Sequence, residues 1–338
     1  MATVHFLNVG QGDCTVIQHN SGRASVVDIC KGNHVLEKKT AQASILEALD
    51  EAASAVLGNF GMSKKPTNPI TYLETLGIES IFRFILTHPD MDHLDGFDKL
   101  MDELGITNFW DSRIRREKPD FEECCQYKEE DWDRYARVYG GAESDIRVIN
   151  PLAGSSFAYA NKAVEGAAGP DGLYILAPDK DLVAAANKSG DINDASYVLL
   201  YRTTGGRILI PGDAHDETWD YVTKHYKSDI ENCSVLFAPH HGRKSGRSFD
   251  FLDVVKPQIT FFGCASSGQL AHQSWRNRKL RVITNNQAGN IVLECADKKI
   301  HFYVQNSLYA KANDCDLSIK NGQGYVYYDT IKEIAEVK

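Results

Sequence analysis

The alternation of apolar and polar positions opens the chain with strands. Val4 to Val9 and Cys14 to Gln18 flank the turn Gly10-Gln-Gly-Asp13 and predict a β-hairpin, and Ala24 to Ile29 predicts a third strand ending in Asp28-Ile-Cys-Lys-Gly. Residues 40 to 57 are Ala-rich and predict a helix, and Ile70 to Leu76 a shorter one. The apolar run from Ile81 into Phe84-Ile-Leu predicts a buried strand, Leu94 to Leu104 a helix, and Thr107 to Trp110 another strand. From about 111 to 191 the pattern loosens into charged runs, Gly140-Gly141 and Gly169-Pro170 turns, and one apolar stretch, Leu173 to Ala177. This segment predicts an elaboration that covers one side of the core and helps to shape a pocket.

Regular periodicity returns with a hairpin, Tyr197 to Tyr201 and Arg207 to Ile210 around Gly205-Gly206. A helix from Asp216 to about Tyr226, a strand from Cys233 to Ala238 and a helix at Asp250 to Val255 follow. Strands at Ile259 to Phe262, Arg281 to Thr284, Asn290 to Glu294 and Ile300 to Val304 precede a polar tail from Asn306. Strands alternating with helices predict the α/β class.

Polar residues gather where these strands end. The loop after Phe84-Ile-Leu reads Thr-His88-Pro-Asp90-Met-Asp92-His93-Leu-Asp-Gly, and imidazole and carboxylate are the ligands that hard or borderline divalent cations take. Alternate residues of an extended loop point to opposite sides, so His88 and Asp90 can feed one metal, and Asp92 and His93 a second. Asp13 either caps its turn or leans on a ligand, and Asp28 is placed to orient a ligand histidine. Asp213, in Pro211-Gly-Asp at the end of an apolar strand, is the kind of carboxylate that bridges two cations. Pro239-His240-His241-Gly242 supplies a ligand plus an acid or phosphate contact, and Arg243, Lys244 and Arg247 follow at once.

Composition narrows the partners. At 338 residues and 43% hydrophobic content the chain can bury a large core, and a net charge of -9 with a pI near 5.7 argues against a surface built to coat nucleic acid. The eight cysteines form no C-x-x-C pair, which predicts reduced thiols of a cytoplasmic protein without zinc finger or disulfide framework. No apolar run is long enough to cross a membrane, so no membrane partner is expected.

His88-x-Asp90-x-Asp92-His93, Asn193-x-x-Ser196, Gly212-Asp213 and Pro239-His240-His241-Gly242 together resemble the metallo-β-lactamase fold, in the order that family shows them. The likeness is to the soluble hydrolase domain of the ComEC DNA-uptake proteins, whose Val-Gly-Gln-Gly-Asp start matches Val9 to Asp13. It covers roughly residues 1–100 and 190–300. It implies a four-layer αββα sandwich over 1–305, with an inserted segment near 105–190 (irregular over about 111–190) and a C-terminal tail, 306–338. It also implies metal ligands at His88, Asp90, Asp92, His93, Asp213 and one of His240 or His241, the latter taken as the ligand. Asp90 replaces a histidine common in the wider superfamily, and Asn193 stands roughly where another is common.

Two divalent cations, Zn²⁺ or Mn²⁺, would then activate a bridging water, with Asp92, Asp213 and His240 as the catalytic side chains. The expected activity is a phosphodiesterase or nuclease, with Asp28, Asn193, Ser196, Arg243, Lys244 and Arg247 supporting the ligands or the substrate. The expected substrate contains phosphate, with a nucleic acid or nucleotide among the candidates. Hydrolysis of a lactone, thioester or other non-phosphate ester is an alternative. A non-catalytic sensor or scaffold that meets a protein partner through the 111–190 segment is another.

Overall fold

The computed structural model describes residues 1–35, 59–123, 126–166, 169–265 and 268–334. The helix expected over 40–57 lies outside them.

In the first half of the chain the strands are β1 (Ala2–Phe6), β2 (Thr15–Gln18), β3 (Ala24–Val27), β4 (Ile81–Ile85), β5 (Ile106–Trp110) and β6 (Arg147–Ile149). The second half supplies β7 (Leu173–Ala177), β8 (Val198–Thr203), β9 (Gly206–Ile210), β10 (Val235–Phe237), β11 (Ile259–Phe262) and β12 (Val282–Thr284), then β13 (Ile291–Ala296), β14 (Lys299–Val304) and β15 (Val326–Lys332). They form two sheets, one of nine strands in the order β15-β14-β13-β1-β2-β3-β4-β5-β6 and one of six in the order β12-β11-β10-β9-β8-β7.

The sheets face each other because each strand has one apolar row to hide from water. Val4, Phe6, Ile17, Val27, Ile85 and Trp110 of the larger sheet pack on Leu199, Tyr201, Ile208, Val235, Ile259 and Phe261 of the smaller. The outer faces are apolar too, as parallel strands covered by helices should be. Helices Pro69–Thr75, Phe97–Glu103 and Glu129–Tyr139 lay Leu73, Leu100 and Tyr135 on Val26, Phe84 and Phe109. Lys180–Ser189, Asp216–His225 and His272–Asn277 lay Leu182, Trp219 and Trp275 on Leu200, Leu209 and Phe262. The result is a four-layer αββα sandwich.

Two stretches differ from expectation. The segment after Asp111 is more than a cover on one side: it adds β6 to the edge of the larger sheet and then crosses to add β7 to the edge of the smaller. The supposed polar tail carries β15, whose Val326 and Ile331 are buried against β14. Those two buried residues stand five apart across a register shift opposite Phe302/Tyr303, which breaks the two-residue period that marks a strand.

β3, β4 and β5 run parallel, as do β9, β10, β11 and β12. Their carboxyl ends share one edge of the sandwich, where open α/β sheets keep their polar chemistry.

Candidate metal centre

Asp28 follows β3 and holds φ 57°, a left-handed conformation that asparagine and aspartate tolerate best. Its Oδ1 accepts the backbone N–H of Thr87 (2.7 Å), and its Oδ2 accepts the Thr87 hydroxyl (2.7 Å) and His93 Nδ1 (2.8 Å). The Thr87 oxygen, having donated its proton to Asp28, accepts from His88 Nδ1 at 3.1 Å. Both rings are thereby held through Nδ1, leaving Nε2 free to bind. Each Nε2 is buried without a hydrogen-bond partner.

From the other sheet, Asp213 follows β9. Gly212 before it sits at φ 51°, and a Cβ there would lie 2.7 Å from Thr87 Cβ, so the two loops approach as closely as they do only over a glycine. His240 and His241 after β10 both hold positive φ, 53° and 57°. Non-glycine residues in that region cost of order 1 kcal/mol or more and cluster at functional sites.

The ligand atoms converge. His93 Nε2 is 3.4 Å from Asp213 Oδ1 and 3.9 Å from Asp92 Oδ1; His241 Nε2 is 3.3 Å from Asp92 Oδ2 and 3.5 Å from Asp213 Oδ2. Four donors around a cation at about 2.1 Å stand about 3.4 Å apart when tetrahedral, so Asp92, His93, Asp213 and His241 fit a divalent ion. Asp13 also lies within this cluster. Its Oδ1 is 3.0 Å from His241 Nδ1, a charge contact at the nitrogen opposite the one that faces Asp92 and Asp213, so Asp92 is the better ligand.

The charges agree. Burial disfavours a charged ring at His93 and His241, yet the Asp213 carboxylate, helped by Asp28 and Asp13 respectively, holds both pKa values well above the ordinary range. Burial likewise works against Asp92 and Asp213, and the same two histidines bring both carboxyls below theirs. The pocket demands positive charge, which a divalent cation supplies in place of two protons.

His88 Nε2 stands 3.6 Å from Asp90 Oδ2, and Asp90 forms an ion pair with Arg116, a residue of the segment that crosses between the sheets. Burial lowers the His88 pKa to about 4, so this ring is neutral and ready to ligate.

Several residues expected at the site do something else. The Arg247 guanidinium donates to the carbonyls of Ala214 (2.8 Å), Pro239 (3.2 Å) and Arg243 (3.1 Å), so it holds the two ligand loops together instead of facing substrate. Arg243 reaches Gln269 Oε1 at 3.4 Å and Lys244 Nζ the carbonyl of Gly268 at 3.0 Å, on the outer rim. Asn193 directs its amide nitrogen at His215 Nε2 (3.4 Å), with its Oδ1 buried and unpartnered. Ser196 is buried, its Oγ also without a partner.

His215 escaped the sequence reading because nothing marks a lone histidine at the start of a helix. It joins Asp191 and Asp194 in a second cluster. Asp194 Oδ1 accepts the Glu217 N–H at the start of the 216–225 helix, so that carboxylate serves as a helix cap.

No family model matches the chain. Its sequence is similar to ComE operon protein 3 of Bacillus subtilis, 22% identical over 228 residues, which is 66% of this chain and 26% of that protein. The chain thus spans about a quarter of the length of the curated relative it matches. Similar solved structures include Igni18, a metallo hydrolase from Ignicoccus hospitalis (TM-score 0.46, 12% identity, 86% of this chain and 99% of that one). Tm1679, a metal-dependent hydrolase of the β-lactamase superfamily, has TM-score 0.46 and 12% identity over 88% of this chain and 100% of its own. The metallo-β-lactamase fold protein YhfI from Bacillus subtilis has TM-score 0.41 and 10% identity over 84% of this chain and 96% of its own. Among the described residues no helix is long and apolar enough to cross a membrane. Two sheets packed face to face between helical layers, with a histidine and carboxylate cluster at the carboxyl ends of their parallel strands, make this chain a four-layer αββα sandwich, and the structures it is similar to include a metallo-β-lactamase fold protein.

Proposed function

We propose that the chain is a metal-dependent hydrolase, that its centre takes two divalent cations, and that it cleaves a phosphodiester. The observation that carries the metal reading is the meeting of Asp92, His93, Asp213 and His241, from both sheets, with the buried Nε2 atoms of both rings unpartnered. Bound cations in such a centre acidify a water and stabilise the negative charge that develops on the group under attack. The protein's part is positional. Asp213 turns one oxygen to His93 and the other to His240 and His241, which is the attitude of a bridging carboxylate. Asp28 and Thr87 fix two of the rings, and Arg247 fixes the loops.

Arg243 and Lys244 on the rim support a phosphate-containing substrate, because a guanidinium and an ammonium beside a metal site attract an anion more than a neutral lactone or thioester. The net charge of -9 favours a small or single-stranded substrate over long duplex.

The test is turnover of a chromogenic phosphodiester, a thioester and a lactone by chelated protein resupplied with Mn²⁺ or Zn²⁺. Expected are phosphodiester turnover that chelation abolishes and either metal restores, and none in a folded Asp213→Ala variant. Full activity after chelation would refute the metal reading, and turnover of the thioester or lactone alone would refute the phosphodiester.

A further inference from the structure

The His88 side of the centre has fewer ligands than the His93 side. Asn193, expected near a third ligand, is turned to His215, and Asp90 shares its carboxylate with Arg116. His240 faces the carboxylate of Asp213 from the loop after β10. Its Nε2 is 3.6 Å from Asp213 Oδ2, almost the separation that His93 and His241 keep from the same carboxylate.

The protons decide what this ring offers. The Asp191 carboxylate only accepts, so His215 Nδ1, 3.0 Å from it, carries the hydrogen. His215 Nε2 is then a lone pair, and the Asn193 amide nitrogen at 3.4 Å points a donor at it. His240 Nδ1 lies 3.3 Å from that lone pair and 3.3 Å from Ser245 Oγ, and a proton on Nδ1 suits both contacts. A neutral imidazole that donates through Nδ1 presents a bare Nε2. Two other rings are held by hydrogen bonds through Nδ1, His88 by Thr87 and His93 by Asp28, and His241 Nδ1 lies 3.0 Å from the Asp13 carboxylate.

We propose that His240 is the ligand that completes the first cation position with His88, Asp90 and Asp213, and that His215, itself held by Asp191, is the positioning residue that keeps its ring in the ligand tautomer. The inference rests on the two-cation reading above. It replaces the role of His240 as proton donor, since a ring whose Nδ1 proton is held by His215 presents a bare Nε2 to the cation. It also gives His215 and Asp191 the work that a carboxylate does behind His93.

The experiment is a Zn²⁺ titration of the chelated full-length protein against a competing chelator, with metal content by mass spectrometry after desalting and folding followed by circular dichroism. Wild type is expected to bind two cations in two steps. His240→Ala should keep the tighter step and lose the weaker, and His241→Ala should lose the tighter. His215→Ala should weaken only the second step, about 10-fold or more, as loss of a residue that orients a ligand does. His215→Gln, whose amide oxygen can accept the His240 proton, should recover part of that loss, which a merely structural defect would not show. Two cations bound by folded His240→Ala at wild-type affinities overturn the proposal, as does wild type that holds only one. Wild type that holds none overturns the metal reading itself. If His240→Ala does not fold, the selective loss and rescue at His215 decide alone: an unchanged second step in His215→Ala overturns the proposal.

Discussion

Asp28→Asn changes one atom pair and should loosen the metal without unfolding the protein. Asn tolerates the φ of 57° at this position, and its amide oxygen can keep the bond from Thr87 N–H that Oδ1 now accepts. That bond settles the orientation, because the reverse would put an NH₂ against an N–H. The NH₂ therefore takes the place of Oδ2, where it meets the Thr87 hydroxyl and His93 Nδ1. His93 must surrender its Nδ1 proton and carry it on Nε2, which points at Asp213 and Asp92, where the cation belongs. Restoring the ligand tautomer then costs one opposed donor pair in a buried site. Changes to groups behind a ligand typically cost about 10- to 100-fold in metal affinity, or about 1.4 to 2.7 kcal/mol. The expected result is a Zn²⁺ dissociation constant higher by that factor in a competition titration, with circular dichroism unchanged. A folded variant whose affinity stays within about twofold of wild type would refute the argument that Asp28 sets the His93 tautomer.

Four further outcomes follow from the same structure. Arg247→Ala should lower stability by about 2 kcal/mol or more, because the buried carbonyls it serves lose their donor, and should leave the KM of a phosphodiester nearly unchanged in the folded fraction; denaturant melts with steady-state kinetics check both. Gly212→Ala should cost about 2 to 4 kcal/mol through its φ of 51° and the Thr87 contact, read as a lowered denaturation midpoint. Burial lowers the pKa of His5 to about 4 and of His19 to about 3, so below the unfolded value of 6.5 the unfolded chain takes up protons that the native state refuses, and stability falls as pH falls. At pH 5 each histidine should cost about 2 kcal/mol relative to neutral pH, and a His5→Gln, His19→Gln double variant with the wild-type pH slope would contradict this. Arg116→Ala should leave Asp90 without its cationic partner and shift metal affinity at the His88 side while sparing the tighter site, measured by the same Zn²⁺ titration.

The layers were legible because most strands are short apolar runs that end in turn residues, as Ala24–Val27 before Asp28 and Ile259–Phe262 before Gly263 do. The His88 to His93 loop was legible because its ligand types are packed into six positions between a strand and a helix. What escaped depends on partners distant in sequence. Arg247 beside a histidine pair reads as an anion contact until the carbonyls of Ala214 and Pro239 fold onto it. Asp191, His215 and His240 form a chain only once three loops meet. Arg83 sits in the middle of β4, where an apolar residue is expected, and is buried because Ser25 and Asp171 satisfy it, the latter from the segment that had read as irregular. Asn193, expected to support the ligands or the substrate, turns its amide nitrogen to His215, a partner twenty-two positions away that the sequence does not mark.

The pairing of β1 with β13 sets a timetable for synthesis. Ala2 through Phe6 are synthesised well before their partners on one side, Cys295 through Ile291, which follow them by 285 residues or more (Phe6 to Ile291). Until then β1 offers an unpaired row of backbone donors and acceptors to any neighbouring nascent chain, the hazard of an open edge strand. Loop closure over so long a separation is also slow to be rewarded. A growing chain of this protein should therefore need shielding at the β1-β2 hairpin longer than a hairpin whose strands pair only with each other, and pairing with β13 is the event that ends that exposure.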